Sequence, residues 1–262
     1  MFIKNVSITF VTRILSLLIG IGTSVIIARV LGPEGQGIYS LAILLPLMIV
    51  TFANLGIGRS TIYHIGRNTN ALQDLVGAIL GSSFVISIVS MLIGLIVVLF
   101  FSNSILPGVQ QIFLLLALLL IPLQLFSFQS LGGILLGIQK IKEYNLIAII
   151  QSLSMLALVS FFLIKLNSGI TGAIIANLLS LLFATSLAFF WVFRSNIHPS
   201  LRLNKNILSS LFSFGYKAHL GNVFAFLHLR IDQVMLNFFL NPMAVGFYVI
   251  SVNIVEKLWL LS

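Results

Sequence analysis

Val30-Leu31-Gly32-Pro33-Glu34-Gly35-Gln36-Gly37-Ile38-Tyr39 sits between two long apolar runs, residues 6–30 and 38–58. Pro33 cannot extend the helix before it, and the glycines let the next helix begin close by. Each flanking run exceeds the roughly 20 residues that an apolar helix needs to cross a bilayer. Neither run alternates with a period of two, so a membrane β-barrel is a poor reading. In lipid, a spanning segment that is not part of a closed barrel must satisfy its backbone groups internally, which makes these runs helices. The stretch therefore reads as the tight turn of a transmembrane hairpin.

Working outward, further apolar runs follow at residues 75–101, 112–137, 146–166, 170–193, 207–240 and 244–262. The chain reads as all-α, a polytopic helical bundle that crosses the membrane about eight times. Composition agrees. Hydrophobic residues make up 59% of the 262, charged residues only 7%, and the mean hydropathy is +1.17. A soluble domain has about a quarter of its residues charged. The connections are short and carry Gly, Pro, Asn and Ser. None could house a soluble active site. Cysteine is absent, which excludes disulfides and thiolate metal sites. The first run is too long for a cleaved signal peptide and lacks a small-residue cleavage site.

The net charge of +9 reads as topology rather than nucleic-acid binding. Lys4, Arg59, Arg67, Lys140, Lys142, Arg194, Arg202 and Lys205 fall in one set of connections, and Arg29 and Lys165 in the other. By the positive-inside bias, the N-terminus is expected in the cytoplasm of a cell (inner) membrane protein.

The opening stretch has a counterpart, Leu240-Asn241-Pro242-Met243-Ala244-Val245-Gly246-Phe247-Tyr248, 209 positions later. Both fit Leu-[Gly/Asn]-Pro-x-x-x-Gly-[Ile/Phe]-Tyr and both join two spans on the same side. Equal orientation with six spans between implies a parallel repeat about an axis along the membrane normal, a plan found in transporters. The expected division is residues 1–206 as a first lobe of about six helices and 207–262 as the start of a second. A second unit that stops after two spans reads as a fragment of a longer protein; the other reading is a half-size protein that dimerises.

Polar residues inside the membrane point to function, because an arginine at mid-span costs about 2.5–3.5 kcal/mol on insertion scales unless it meets water or a partner. In the first span, Asn5, Thr9, Thr12, Arg13, Ser16, Gly20 and Thr23 share an arc of about 100°. They line a lumen or form a helix contact with Arg13 snorkelling. In the seventh span, His219, Asn222, Arg230, Gln233 and Asn237 share an arc of about 80°. Arg230 is near mid-span and is read as a lumen anion ligand or as half of an ion pair. Asp232 points elsewhere and needs a cationic partner; its functional reading is ion coupling. Arg59, after Gly56 and Gly58, is either a lumen ligand or an interface anchor. Pro46 and Pro122 should kink their helices. Gln124, Gln151 and Asn177 suit sugar hydroxyls or interhelical bonding. Two basic candidates against one well-placed acid suggest a cationic cavity for an anionic, phosphate-bearing substrate.

Residues 27–39, Asn54-Leu55-Gly56-Ile57-Gly58, Gly132-Gly133-Ile134-Leu135-Leu136-Gly137-Ile138 and Arg230-Ile231-Asp232-Gln233-Val234-Met235-Leu236, in this order, resemble the bacterial polysaccharide flippases of the multidrug/oligosaccharidyl-lipid/polysaccharide exporter superfamily. The resemblance implies two V-shaped lobes around a central cavity, alternating access driven by an ion gradient, and undecaprenyl-diphosphate-linked oligosaccharide as substrate. It implies that the diphosphate sits in a basic lumen at Arg13, Arg230 and Arg59, with the lipid tail between the lobes. Asn222, Gln233, Asn237 and Gln124 would be the polar lumen. The implied partners are the lipid-linked substrate, membrane lipids and polysaccharide assembly proteins. No enzyme activity, metal or cofactor is expected beyond a coupling ion, Na+ or H+, at Asp232. Two alternatives stand beside this reading. A cation-coupled multidrug antiporter would want acids in the lumen. A multi-pass transferase would want a general base near a membrane surface, where His64 and His198 lie without a carboxylate pattern.

Overall fold

The computed structural model describes residues 2–67, 72–197, 199–200 and 205–259, and side chains throughout these except at 2–5, 218 and 257–259. Its elements, among the described residues, are all helical: α1 (Phe2–Ala53), α2 (Ile57–Arg67), α3 (Leu72–Ile105), α4 (Gln111–Gly137), α5 (Ile141–Lys165), α6 (Gly169–Phe193), α7 (Lys205–Phe239) and α8 (Pro242–Trp259). Five of them are long and apolar enough to cross a membrane, and α8 contributes a shorter apolar helix.

The first of these, α1, holds two of the expected spans. Its apolar part, Val6–Ala53, is 48 residues long, about 72 Å at the helical rise. A single break divides it at Gly32, with φ 68° and ψ 178°. A side chain could hardly adopt that conformation, which is open essentially to glycine alone. Pro33 follows as the first residue of the second arm, where its missing N–H costs nothing. The expected multi-residue turn is thus a one-residue kink. The second arm ends at Ala53, earlier than expected, because Leu55 and Gly56 both take positive φ. The chain then forms α2, an unexpected amphipathic helix that buries Ile57, Ser60, Thr61, His64 and Ile65 and leaves Arg59 and Arg67 outside.

Of the two expected proline kinks, only one is a break. Around Pro122, α4 is interrupted at Leu119 and runs on through a π-helical stretch, Leu125–Leu131. The lost backbone donor and the ring's clash with the preceding turn account for the disturbance. Pro46 leaves its arm helical throughout.

Packing is inverted relative to a soluble bundle. On α3, Ser83, Ser87, Ser90 and Gly94 face inward, while Phe84, Val85, Ile88, Leu92, Ile96 and Phe100 face out. Small residues let helices approach closely where lipid removes any hydrophobic drive to associate. Inward hydroxyls bond locally: Ser87 donates to the Ser83 carbonyl (2.7 Å), and the Ser83 hydroxyl pairs with that of Ser130 on α4. The extent of exposed Phe, Leu, Ile and Val on every long helix is what a multi-pass membrane protein presents to acyl chains. Two cores form. One joins α1, α4, α5, α6 and α8 with Val98 of α3; the other joins α2, α3, the end of α4 and of α6, Ile147 of α5 and the start of α7.

The two repeat motifs meet. A Cβ on Gly37 would lie 1.7 Å from the Pro242 carbonyl oxygen, and one on Gly246 would lie 1.8 Å from that of Pro33. Pro33 corresponds to Pro242 and Gly37 to Gly246, so each turn makes on the other the contact it receives. Such reciprocity is the mark of a two-fold relation. The two copies of the motif thus pack against each other in a locally two-fold contact through Gly37 and Gly246.

Candidate functional site: a polar cavity between the repeats

The polar stripe of α1 serves two purposes along its length. Near the N-terminus it packs on α5: Asn145 donates to the Thr9 hydroxyl at 3.0 Å, and Arg13, which is exposed, lies within electrostatic range of Tyr144. Farther along, Gly20, Thr23 and Ser24 line an open cavity. The side chain of Asn5 lies outside the described residues.

On α7 the polar stripe faces inward as expected and fastens the helix at both ends. His219 is buried with Nε2 3.1 Å from the Phe52 carbonyl oxygen. Asn237, 1% exposed, donates to the Pro107 carbonyl at 3.1 Å. Between them lie half-buried Asn222, then Arg230 and Gln233. The Arg230 guanidinium donates through both terminal nitrogens to Glu256 of α8, at 2.7 and 3.0 Å. Among the described residues this is the one salt bridge. Two-pronged geometry of this kind holds the guanidinium plane in a fixed direction and still leaves donors over, since the group carries five.

Arg230 and Gln233 line a cavity of about 380 Å³. Gly20, Thr23 and Ser24 of the first arm of α1, Gln36, Tyr39 and Ser40 of the second, Gln151 and Ser152 of α5 and Asn253 of α8 complete its polar wall. None of the described lining residues is acidic. Gln36 donates to the Ser40 hydroxyl at 3.2 Å, while its own Oε1 is buried without a partner. An orphaned buried oxygen is costly, so this one is open to a donor. Beside this cavity runs an apolar cleft of about 240 Å³ between α1 and α8, walled by Leu17, Ile21, Val25, Ala28, Ile250 and Ile254. Ser24, Gln36 and Asn253 belong to both.

The three arginines singled out in the sequence are not gathered here. Arg230 lines the cavity; Arg13 and Arg59 do not, and both are exposed. In the cavity Arg230 is the one described arginine, held by a carboxylate, while Arg29 lines the adjoining cleft. Glu256 is hard to read in the sequence because it adjoins Lys257 at the end of the last run. Asp232 finds a hydroxyl rather than the expected cation: Tyr248 donates to its Oδ2, and its Oδ1 accepts the Gln233 backbone N–H at 2.8 Å. It does not line the cavity. Gln124 is half-buried on α4 with Oε1 unpartnered, also outside the cavity. Asn177 donates to the Tyr39 hydroxyl at 3.3 Å, acting as interhelical glue. His198 and Arg202 lie outside the described residues. Sequence reasoning missed Gln36, Ser40 and Asn253. The signal for the first two was their place one and two turns after Pro33, inside and directly after the motif that already marked the repeat.

Among the described residues no group of three His, Asp or Glu comes together as a metal site. A search of curated proteins found no match. Among solved structures, the chain resembles the MATE multidrug transporter DinF-BH, with a TM-score of 0.76 at 20% identity over 95% of this chain and 59% of that one. It also resembles a MOP superfamily transporter from Pyrococcus furiosus, with a TM-score of 0.63 at 17% identity over 88% of this chain and 53% of that one. The chain thus has the all-helical fold of these transporters and spans 53–60% of the length of such structural relatives. A profile of the family described as polysaccharide biosynthesis protein matches residues 2–258. Matched over nearly its whole length, this multi-pass membrane chain belongs to the polysaccharide biosynthesis protein family.

Proposed function

We propose that the protein flips a polyprenyl-diphosphate-linked oligosaccharide across the cell membrane, from the cytoplasmic to the outer leaflet, for polysaccharide assembly. One observation carries the reading: a polar cavity with one oriented guanidinium adjoins an apolar cleft, and the two share Ser24, Gln36 and Asn253. A lipid-linked sugar has just this division. Its diphosphate would take donors of Arg230, its hydroxyls would meet Gln36, Gln151, Gln233 and Asn253, and its isoprenoid chain would lie in the cleft. Guanidinium suits a diphosphate because it stays charged and offers paired donors. Glu256 orients Arg230 and offsets its charge until the substrate competes for it, which favours release as well as capture.

Membership of the family supports a polysaccharide substrate, and the charge distribution of the connections supports a cytoplasmic N-terminus. The cation-antiporter alternative would put a carboxylate in the cavity wall, where the described lining has none. Alternating access, an ion gradient as its driver, and cooperation with assembly proteins complete the proposal. Arg13 and Arg59 would act at the cavity's approaches, and Asp232 would join any coupling through Tyr248.

The test is a vesicle assay with the purified full chain and a polyprenyl-diphosphate-linked oligosaccharide. Ile21→Trp, which fills the cleft, should stop flipping while leaving binding of a water-soluble sugar diphosphate intact. Undiminished flipping by that variant would overturn the lipid-tail assignment.

A further inference from the structure

A second basic region lies away from the central cavity. α2 and the start of α7 run side by side at the end of the bundle that carries Arg59, Lys140, Lys142 and Lys205. Their junction is tightly made. Ser60 donates to the Leu211 carbonyl at 2.7 Å, and a Cβ on Gly56 would fall 2.1 Å from the Gly215 carbonyl oxygen. Tyr63 stacks on Phe214 with ring centroids 4.1 Å apart, and His64, 7% exposed, sits 3.4 Å from the Ser210 hydroxyl. Between the helices is a groove of about 500 Å³.

Two cations and several hydroxyls converge on this groove. Arg67 donates to the Tyr63 hydroxyl and lies over its ring, 5.4 Å from the centroid, so its guanidinium is held in place. Lys217, one turn beyond Ser213, also lines the groove. Among the described residues neither is paired with a carboxylate. Oriented donors around unpaired positive charge fit an oxyanion. The surroundings say which kind. The Tyr63–Phe214 stack is over a third exposed, as is Ile62, so aromatic and apolar surface lies beside the cations. A short amphipathic helix with aromatic and basic residues outside is the chemistry of the membrane–water boundary.

We infer that the groove between α2 and α7 binds the phosphate of an anionic phospholipid headgroup, through Arg67 and Lys217. The site clamps the inner end of α7 to α2 and so links the second repeat to the first by way of the surrounding lipid.

The purified full chain is placed in nanodiscs of zwitterionic lipid, with or without phosphatidylglycerol. Thermal unfolding and native mass spectrometry then report stabilisation and retained lipid. Wild type should gain stability with phosphatidylglycerol and retain it. R67Q/K217Q should lose both effects, whereas K140Q/K142Q, with the same net charge at the same end, should keep them. Should the double variant fail to fold, Lys217→Gln alone, at an exposed position, should lower retention severalfold. Equal retention by wild type and Lys217→Gln would overturn the inference. So would stabilisation by inorganic phosphate in zwitterionic discs with none from phosphatidylglycerol, which would assign the groove to a soluble phosphate.

Discussion

The central cavity and the α2–α7 groove are both built on α7, one helix seen at two depths, and they treat positive charge in opposite ways. In the cavity Arg230 is held by Glu256 from α8. In the groove Arg67 is steadied by a tyrosine, and among the described residues Lys217 has no acidic partner. Depth explains the contrast. A guanidinium set among apolar helices needs a counter-charge to be tolerated, whereas cations at the end of the bundle lie near water and anionic headgroups. The lesson is that basic residues of one chain need not serve one ligand. Mid-membrane charge has to be neutralised before it can be used, and interfacial charge is available at once.

The largest expected effect tests the cavity half of that contrast. Arg230→Ala should abolish flipping in the vesicle assay and destabilise the chain modestly, by about 1 kcal/mol, since the ion pair it breaks is only partly buried. Glu256→Gln should partly repair the double loss when combined with it, and alone should bind a soluble diphosphate more tightly because Arg230 loses its competitor. Normal flipping by Arg230→Ala would remove the guanidinium from the mechanism and leave the pair as a structural tie.

Next in size is the contact between the repeats. Gly37→Ala must push the two turns apart, because the new methyl would lie 1.7 Å from the Pro242 oxygen. A loss of about 1–3 kcal/mol is expected from overpacking. Thermal unfolding against Gly66→Ala, where the added carbon meets nothing within 4 Å, is the control. Equal melting points for the two would show that the turns do not bear on one another. Smaller again is Asn237→Leu, which strips the Pro107 carbonyl of its donor and should cost about 1 kcal/mol or slightly more. It loosens the C-terminal end of α7, so thiol labelling of Ser40→Cys in the cavity should rise while phosphatidylglycerol retention in the groove is unchanged. The least effect on transport is expected from R67Q/K217Q: flipping within about twofold of wild type, as befits exposed charges of modest energetic weight. A large loss there would merge the two regions into one mechanism.

Fold and site differ in how far they can be read beforehand. The helices are legible because lipid imposes one requirement on every spanning residue, so continuous apolar runs fix six of the seven long elements to within a few residues, with α1 resolving into two of the eight runs. α2 escapes because its eleven residues carry Arg, Ser, His and Gly in an amphipathic pattern that a hydropathy scan passes over. Arg230 stands out by its position, yet the partner that governs it lies 26 residues away, and no periodicity relates the two. Asp232 and Tyr248 are each conspicuous separately, one as an acid in search of a cation, the other as a repeat residue.

The sequence by itself determined the class of solvent, the placement of most long helices, and the existence of a repeated turn motif, since all three follow from local composition and self-similarity. Only the tertiary structure decided that the two repeat turns meet through Gly37 and Gly246, that one arginine and not three lines the cavity, and that a carboxylate holds it. The physical reason is that an apolar run tells a helix to be in lipid but says nothing of which neighbour its polar face will meet. That choice is made by side chains far apart in the chain, through packing and charge pairing that exist only once the bundle has assembled.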